Sequence, residues 1–178
     1  MPASLRTSRL LLRQWRGEDV APFVEMSADP AVMEYLPPAD EAWVARARAH
    51  WDEHGFGQWV VEIPGEASFV GVVGLETVAY EAPFTPAVEV AWRLAQPYWG
   101  HGYATEAARA ALDYGFGQIG FREIVAVTVP ANRPSRRVME RLGMTRSPED
   151  DFDHPRVPEG PLQRHVLYRL RNPSQLSP

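Results

Sequence analysis

The chain has 178 residues, a net charge of −5 and 45% hydrophobic residues, which predicts one globular domain over residues 1–178. It contains no cysteine and all 18 basic residues are arginine, which excludes disulfides, thiolate metal sites and a cysteine or lysine nucleophile. The acidic balance argues against non-specific nucleic-acid binding. Because the sequence has neither a membrane-length apolar run nor an export signal, we expect a cytoplasmic protein that does not bind membranes.

The first half of the chain predicts a strand, three helices and a hairpin. The strand covers residues 9–15, and the first helix covers residues 19–26. Asp29 followed by Pro30 predicts the start of a second helix, and Asp40 caps a third that ends before Gly55. Two strands at 58–63 and 68–78, joined by a turn at 64–65, predict a hairpin.

The second half alternates strands and helices. Residues 87–94 alternate between an apolar face and a partly polar face that carries Glu89, Ala91 and Arg93. A helix over 104–116, a β-branched strand over 122–129 and a helix over 134–142 follow, then a short strand near Met144 and a last strand over 163–170. This order predicts a mixed-sheet α/β (α+β) domain.

The loop "GHGYATEAA", residues 100–108, precedes an amphipathic helix. Glycines at such a junction fit a tight bend, a dinucleotide site or a site for another phosphate. A dinucleotide fold would need an acidic residue at the end of the next strand, but Glu123 stands at its start. No carboxylate occurs between Gly100 and Thr105, where free N–H groups at a helix start favour an anion, so phosphate is the preferred ligand.

Several motifs resemble one family. "WGHGYA" (99–104) is similar to the pyrophosphate-binding loop of the GNAT acetyltransferases. The longer "YWGHGYATEA", "RTSRLLLRQWRGEDV", "ADPAVMEYL" and "NRPSRRVMERLGM" resemble the branch related to the ribosomal-protein amino-terminal acetyltransferases, in the same order. The resemblance covers about residues 5–170. It implies a twisted mixed sheet of about seven strands that is splayed between the fourth and fifth, with acetyl-CoA as co-substrate in that cleft.

The same resemblance implies the cofactor-binding residues. The fourth strand of the family corresponds to residues 87–94, whose backbone would pair with the pantetheine arm, and the loop N–H groups would hold the pyrophosphate. Trp99 stands where the family commonly has Arg or Gln, so the backbone is expected to dominate there. An asparagine side chain on the cofactor corresponds to Asn132. The implied set is Trp92, Arg93, Leu94, Trp99, Gly100, His101, Gly102, Tyr103, Ala104, Thr105 and Asn132.

The resemblance also implies direct transfer of acetyl to a primary amine, either a protein amino terminus or a small molecule. Glu89 on the polar face of its strand is the candidate general base, and Glu76 is the second choice. The family often carries a proton-donating tyrosine where this chain has Met139, so Ser135 is the candidate acid. Two alternatives stay open, a CoA-binding module without activity and a nucleotide-binding domain, as does formation of a homodimer.

Other patterns predict no metal site. His50 and His54 lie one helical turn apart but lack a third ligand, so we expect surface histidines. The acidic stretch 149–154 lacks the pattern of a calcium loop and is expected to be solvated and able to attract a cationic substrate. Trp43, Trp51 and Trp59 are candidates for the wall of the acceptor site, as the resemblance implies for these early helices.

Overall fold

The computed structural model describes residues 4–175 as a mixed sheet with helices on both faces, so the outermost residues of the predicted domain lie outside the described range. The described strands are β1 (Leu5–Arg6), β2 (Leu11–Arg13), β3 (Gln58–Ile63), β4 (Ala67–Thr77), β5 (Val88–Leu94), β6 (Glu123–Thr128), β7 (Thr145–Arg146), β8 (Phe152–Asp153) and β9 (Arg164–Arg171). The helices are α1 (Val20–Ala28), α2 (Pro30–Met33), α3 (Glu41–His54), α4 (Tyr103–Tyr114) and α5 (Arg133–Arg141).

The strand order is β1-β2-β3-β4-β5-β6-β9-β7, and β8 pairs with β9. The structure has two strands more than the seven expected, because β1 and β8 are two-residue strands that no local pattern marks. Strand β7 corresponds to the short strand predicted near Met144. All neighbours are antiparallel except β5 and β6, which are parallel. The mixed α/β fold is confirmed.

The expected splay is also present. Strand β5 is paired with β4 along its whole length, from Val88 opposite Thr77 to Leu94 opposite Gly71. With β6 it pairs only at Glu89, opposite Val125. The two parallel strands consequently separate beyond Glu89, and the rest of β5 forms one wall of an open cleft.

Alternating side chains of the central strands build a core on each face of the sheet. On one face Val61 and Val73 pack with the buried side of α4, which is made of Ala107, Ala108, Ala111 and Leu112. On the other face Val60 and Val72 pack with apolar residues of α1, α2 and α3. The small alanines let α4 lie close to β4 and β5, and this fixes the direction in which the helix start points.

Local signals account for most element boundaries. The Asp29 side chain accepts a hydrogen bond from the Ala31 N–H, and Asp40 accepts one from the Trp43 N–H, as expected for N-caps. Gly55 ends α3 in the left-handed conformation, with φ of 73°. No helix within residues 4–175 combines the length and the apolar character needed to cross a bilayer.

Candidate active site

The loop between β5 and α4 has the geometry of an anion site. Gly100 and Gly102 both have φ of +80°, a left-handed conformation that side chains rarely adopt. The first hydrogen bond of α4 runs from the Glu106 N–H to the Gly102 carbonyl, at 3.0 Å. Among the described residues, nothing accepts a hydrogen bond from the N–H groups of residues 100–105. These groups and the positive end of the helix are therefore free to bind a phosphate.

A clamp of hydrogen bonds behind this loop neutralises the carboxylate of Glu106. Glu106 lies in the first turn of α4, where it accepts hydrogen bonds from the Thr7 hydroxyl and from Arg9 Nε, the latter at 2.7 Å. Arg9 Nη1 also donates to the His101 carbonyl at 2.9 Å, and its guanidinium stacks on the Tyr103 ring. Burial opposes ionisation of Glu106, but the bonds from Thr7 and Arg9 prevail and lower its pKa. The carboxylate thus holds the loop and is masked by Arg9.

Strand β5 turns part of its backbone towards the cleft. The Ala95 N–H donates to the Val70 carbonyl of β4 at 2.9 Å. In an antiparallel ladder every second residue bonds to the same neighbour, so Arg93 also directs its N–H and C=O to β4. The N–H and C=O groups of Trp92 and Leu94 consequently point away from β4. The Leu94 carbonyl accepts a hydrogen bond from Trp99 Nε1 at 2.8 Å. Trp99 itself is 45% exposed. Of the three predicted strand residues, Trp92 and Leu94 face the cleft with their backbone, and Arg93 does not.

The predicted residues after β6 line the opposite wall. The Asn132 side chain caps α5 by accepting from the Ser135 N–H at 3.2 Å, and its amide donates to the Thr128 hydroxyl at 3.0 Å. The Ser135 hydroxyl accepts a hydrogen bond from Trp92 Nε1 at 3.3 Å, which joins α5 to β5 across the splay. Met139 lies one turn further on and is only 2% exposed. Ser135 is therefore the hydroxyl that α5 brings to the cleft.

A cavity of about 200 Å³ runs through the splay. Ser135 and Met139 line it together with the side chain of Trp92, whereas Glu89 and Arg93 line it from the other face of β5. The structure thus brings both predicted catalytic residues, Glu89 and Ser135, to one cavity from opposite sides of the sheet.

Two carboxylates meet at the base of this cavity. Glu76 on β4 lies directly opposite Glu89 on β5, so both side chains are on one face. The Glu89 Oε2 atom is shielded from solvent and has no hydrogen-bond partner, while Glu76 accepts a bond from Gln58 Nε2 at 3.1 Å. Burial raises the pKa of Glu89 well above its usual range, and the charge of Glu76 and a hydrogen bond with it raise it further. Glu89 is therefore a stronger base than an ordinary glutamate.

Three side chains that sequence reasoning missed complete the cavity wall. The Tyr80 hydroxyl is shielded and unpartnered, and the Tyr80 ring centroid lies 4.3 Å from that of His154. His165 on β9 follows at 4.9 Å from His154. Burial, with the charges of His165 and Arg156, lowers the pKa of His154 to about 4, so it is neutral at pH 7. Tyr80 lies in an irregular segment between β4 and β5, and no local motif marks it.

The expectation of a solvated loop at 149–154 holds for Glu149 and Asp153, which are exposed, but not for the whole stretch. Phe152 is buried and belongs to β8, and His154 reaches the cavity. The aspartates are not free to attract a cation, because Asp150 pairs with Arg169 and Asp153 pairs with Arg164, at 2.9 and 3.2 Å. The phenylalanine within the acidic stretch was the signal for a buried strand.

Two of the three candidate tryptophans are also placed differently. Trp43 lines the cavity, but Trp51 and Trp59 pack against each other in the core, with ring centroids 5.0 Å apart. His50 is half-buried rather than on the surface. Both of its ring nitrogens are bonded within the fold: Nδ1–H donates to the Phe56 carbonyl, and Nε2 accepts from the Thr77 N–H. No group of three or more His, Asp or Glu side chains within residues 4–175 could hold a metal ion.

Glu123 is not available to bind a ribose, because its carboxylate pairs with Arg169 and Arg171 on the neighbouring strand, at 2.7 and 3.6 Å. Two arginines near the start of the chain, Arg9 and Arg13, have different roles in the fold. Arg13 is buried against Asp19 and Glu62, whereas Arg9 belongs to the clamp behind the loop.

Comparison with known proteins agrees with this geometry. Residues 9–145 match the acetyltransferase (GNAT) domain family. The uncharacterized protein YkkB of Bacillus subtilis (strain 168) is 34% identical over 146 residues, which cover 79% of this chain and 84% of YkkB. The FsC-acetyl coenzyme A-N(2)-transacetylase of Aspergillus fumigatus is 30% identical over 193 residues, which cover 96% of this chain and 80% of the relative.

Among solved structures, Mycobacterium smegmatis RimJ in complex with CoA-disulfide shares the fold with a TM-score of 0.79. The two are 23% identical, and the match covers 99% of this chain and 90% of RimJ. The chain belongs to the GNAT family and is an acetyl-CoA-dependent N-acetyltransferase.

Proposed function

We propose that the protein transfers acetyl directly from acetyl-CoA to the primary amine of a small molecule or a protein amino terminus, with Glu89 accepting the proton of the amine. The observation that carries this proposal is the Glu76–Glu89 pair at the point where β5 and β6 separate. Direct transfer is the natural route because the chain has no cysteine or lysine to carry the acetyl group.

The carboxylate pair suits a cationic amine. An amine arrives protonated at neutral pH, and two acidic side chains in a shielded place attract such a cation. The raised pKa of Glu89 brings this base closer to neutrality, where proton acceptance in the reaction is most effective. Glu76 has a different role, since it sets the pKa of Glu89 and is held by Gln58.

The residues on the other wall suit the leaving group. Acetyl-CoA supplies the activated acetyl group. The CoA that is released leaves as a thiol, and its sulfur atom therefore needs a proton. The Ser135 hydroxyl lies on the Trp92 side of β5, opposite Glu89, so base and acid approach from different faces. The fixed cap of α5 holds Ser135 in place because Asn132 bonds to its N–H.

The loop and the strand suit the remainder of the cofactor. The N–H groups of residues 100–105 would hold the pyrophosphate, and the cleft-facing backbone of Trp92 and Leu94 would pair with the pantetheine arm. The Leu94 carbonyl already accepts a hydrogen bond from Trp99 Nε1, so the Leu94 N–H and the N–H and C=O of Trp92 are the groups left for that arm. The fungal relative named for transfer from acetyl coenzyme A to N(2) supports an amine as acceptor.

The test is thiol release from acetyl-CoA with a panel of small amines and short peptides. We expect turnover with at least one class, and a loss of turnover in Glu89→Gln while CoA still raises the melting temperature. Glu66→Gln, on the exposed hairpin turn, is the matched control. A thermal shift with CoA and no thiol release with any amine would favour the non-catalytic module. No shift with CoA, but one with NAD, would favour a nucleotide-binding domain.

A further inference from the structure

The cavity has an arginine at the end away from the carboxylate pair. The Arg93 residue is 8% exposed and lines the cavity together with Trp43 and Tyr35. Its guanidinium lies over the Trp43 and Phe23 rings, 5.5 and 5.7 Å from their centroids. One hydrogen bond is present, from Nη1 to the Ser27 hydroxyl at 3.4 Å, and no carboxylate of the described residues lies within ion-pair distance of Arg93. Most of its five N–H donors are therefore unused.

The acidic pair does not compensate this buried charge. Burial lowers the pKa of Arg93 to about 10, and the charge of Glu76 only partly opposes that effect. The guanidinium is still charged at pH 7. A buried cation with so few partners is costly unless an anion accompanies it. Arg13 shows the contrast within the same chain, since it is equally buried but pairs with Asp19 and Glu62.

Glu89 and Arg93 stand on the same face of β5, four residues apart. At about 3.3 Å per residue their Cα atoms are about 13 Å apart, with Ala91 between them. The cavity thus has an acidic end that suits an amine and a basic end that suits an anion. The span favours an acceptor whose two groups are several bonds apart over an α-amino acid, in which one carbon carries both.

We infer that the amine acceptor carries a carboxylate several bonds from the reacting nitrogen, and that Arg93 binds this carboxylate. The inference rests on the proposed function, because it assigns the substrate class of the same site. A planar guanidinium stacked on Trp43 presents a two-pronged donor edge, the arrangement that pairs with a carboxylate. An ω-amino acid, or a peptide with an acidic side chain near its amino terminus, has this chemistry.

Matched pairs of acceptors test the inference in the wild-type enzyme. The first pair is δ-aminovalerate and its amide, and the second is an amide-capped tetrapeptide with glutamate at its second position and the glutamine counterpart. We expect kcat/KM to favour the carboxylate by about tenfold or more in one pair, as a charged hydrogen-bonded pair in a shielded site gives. The pair that responds identifies a small-molecule or a peptide source.

The variant Arg93→Met should reduce that ratio to about one, chiefly through KM, and Arg93→Lys should restore part of it. Arg171→Met, which removes an exposed arginine at the end of β9, should leave both the ratio and the activity unchanged. If Arg93→Met does not fold, inhibition of the wild type gives a second readout, because valerate should compete with the amine and valeramide should not.

The outcomes separate the two proposals. If no amine is acetylated, the proposed function fails. If amines are acetylated but acid and amide are used equally, or if Arg93→Met keeps the preference, only the role of Arg93 is wrong.

Discussion

Replacing Glu89 by glutamine separates its chemical role from its structural role. Glutamine keeps the shape of the side chain and can still donate a hydrogen bond to Glu76, as the protonated carboxyl does. It cannot accept a proton from an amine. The variant should therefore fold and bind acetyl-CoA normally, and lose kcat/KM by about a hundred- to ten-thousand-fold, the range of general-base catalysis.

The same substitution should increase stability at high pH. Directly opposed residues on neighbouring strands have Cβ atoms about 5 Å apart. Two carboxylates at that distance, at an effective dielectric constant of about 20, repel each other by about 3 kcal/mol. The folded pKa of Glu89 is above its ordinary value of 4.5, so the wild type loses stability as pH rises from about 4.5 through the raised pKa. Glu89→Gln removes this loss.

Thermal unfolding and thiol release, each measured against pH, check both effects. Below pH 4.5 the variant and the wild type should unfold at similar temperatures, and above the raised pKa the variant should be more stable by up to about 3 kcal/mol. The rising limb of the wild-type profile of kcat/KM should be missing in the variant. The reasoning would be contradicted if the rise of kcat/KM with pH were unchanged in Glu89→Gln but missing in Glu76→Gln. That result would assign the base to Glu76.

Three other predictions concern the cofactor loop and the histidine pair. Arg9→Met unmasks the Glu106 carboxylate beside the anion site, so the KM for acetyl-CoA should rise by about tenfold at low salt with little change in kcat, whereas Arg6→Met should have no such effect in the same assay. Gly102→Ala places a side chain at φ of +80° and should cost about 1–2 kcal/mol in chemical denaturation and reduce the thermal shift with CoA. A normal shift would mean that the loop backbone is not the cofactor site. The folded pKa of His154, about 4, is below its ordinary value of 6.5, so the stability of the protein should decline as pH falls from about 6.5 to 4. In His154→Asn the melting temperature should fall less over this range. A fall equal to that of the wild type would assign the decline to other groups.

Local patterns predicted the elements that position the loop. The alternation of 87–94, the alanine face of α4 and the caps at Asp29 and Asp40 depend on neighbouring residues only, and each is present in the structure. The polar face of β5 likewise marked Glu89 as a cavity residue. Such features are readable because a strand or helix repeats its side-chain direction at a fixed period.

Features that depend on tertiary register could not be predicted. The pairing of Glu76 with Glu89 is set by the alignment of β4 with β5, which an irregular connection of ten residues separates. The approach of His154 to Tyr80 requires β8 to add to β9, and a two-residue strand has no periodicity to detect. The same holds for Trp51 and Trp59. Their helix and strand could be predicted from local patterns, but the packing that turns both side chains into the core could not.

Mass spectrometry of a single turnover tests the central claim most directly. Enzyme, acetyl-CoA and the best amine of the panel are mixed in equal amounts, and the acetylated amine and the free CoA thiol are quantified together. When the wild type has completed its turnover, we predict equal amounts of both products in the wild type and at most traces of either in Glu89→Gln, although both proteins show the same thermal shift with CoA. Thiol release without an acetylated amine, or full transfer by Glu89→Gln within the same time, would contradict the assignment of the cleft and its carboxylate pair.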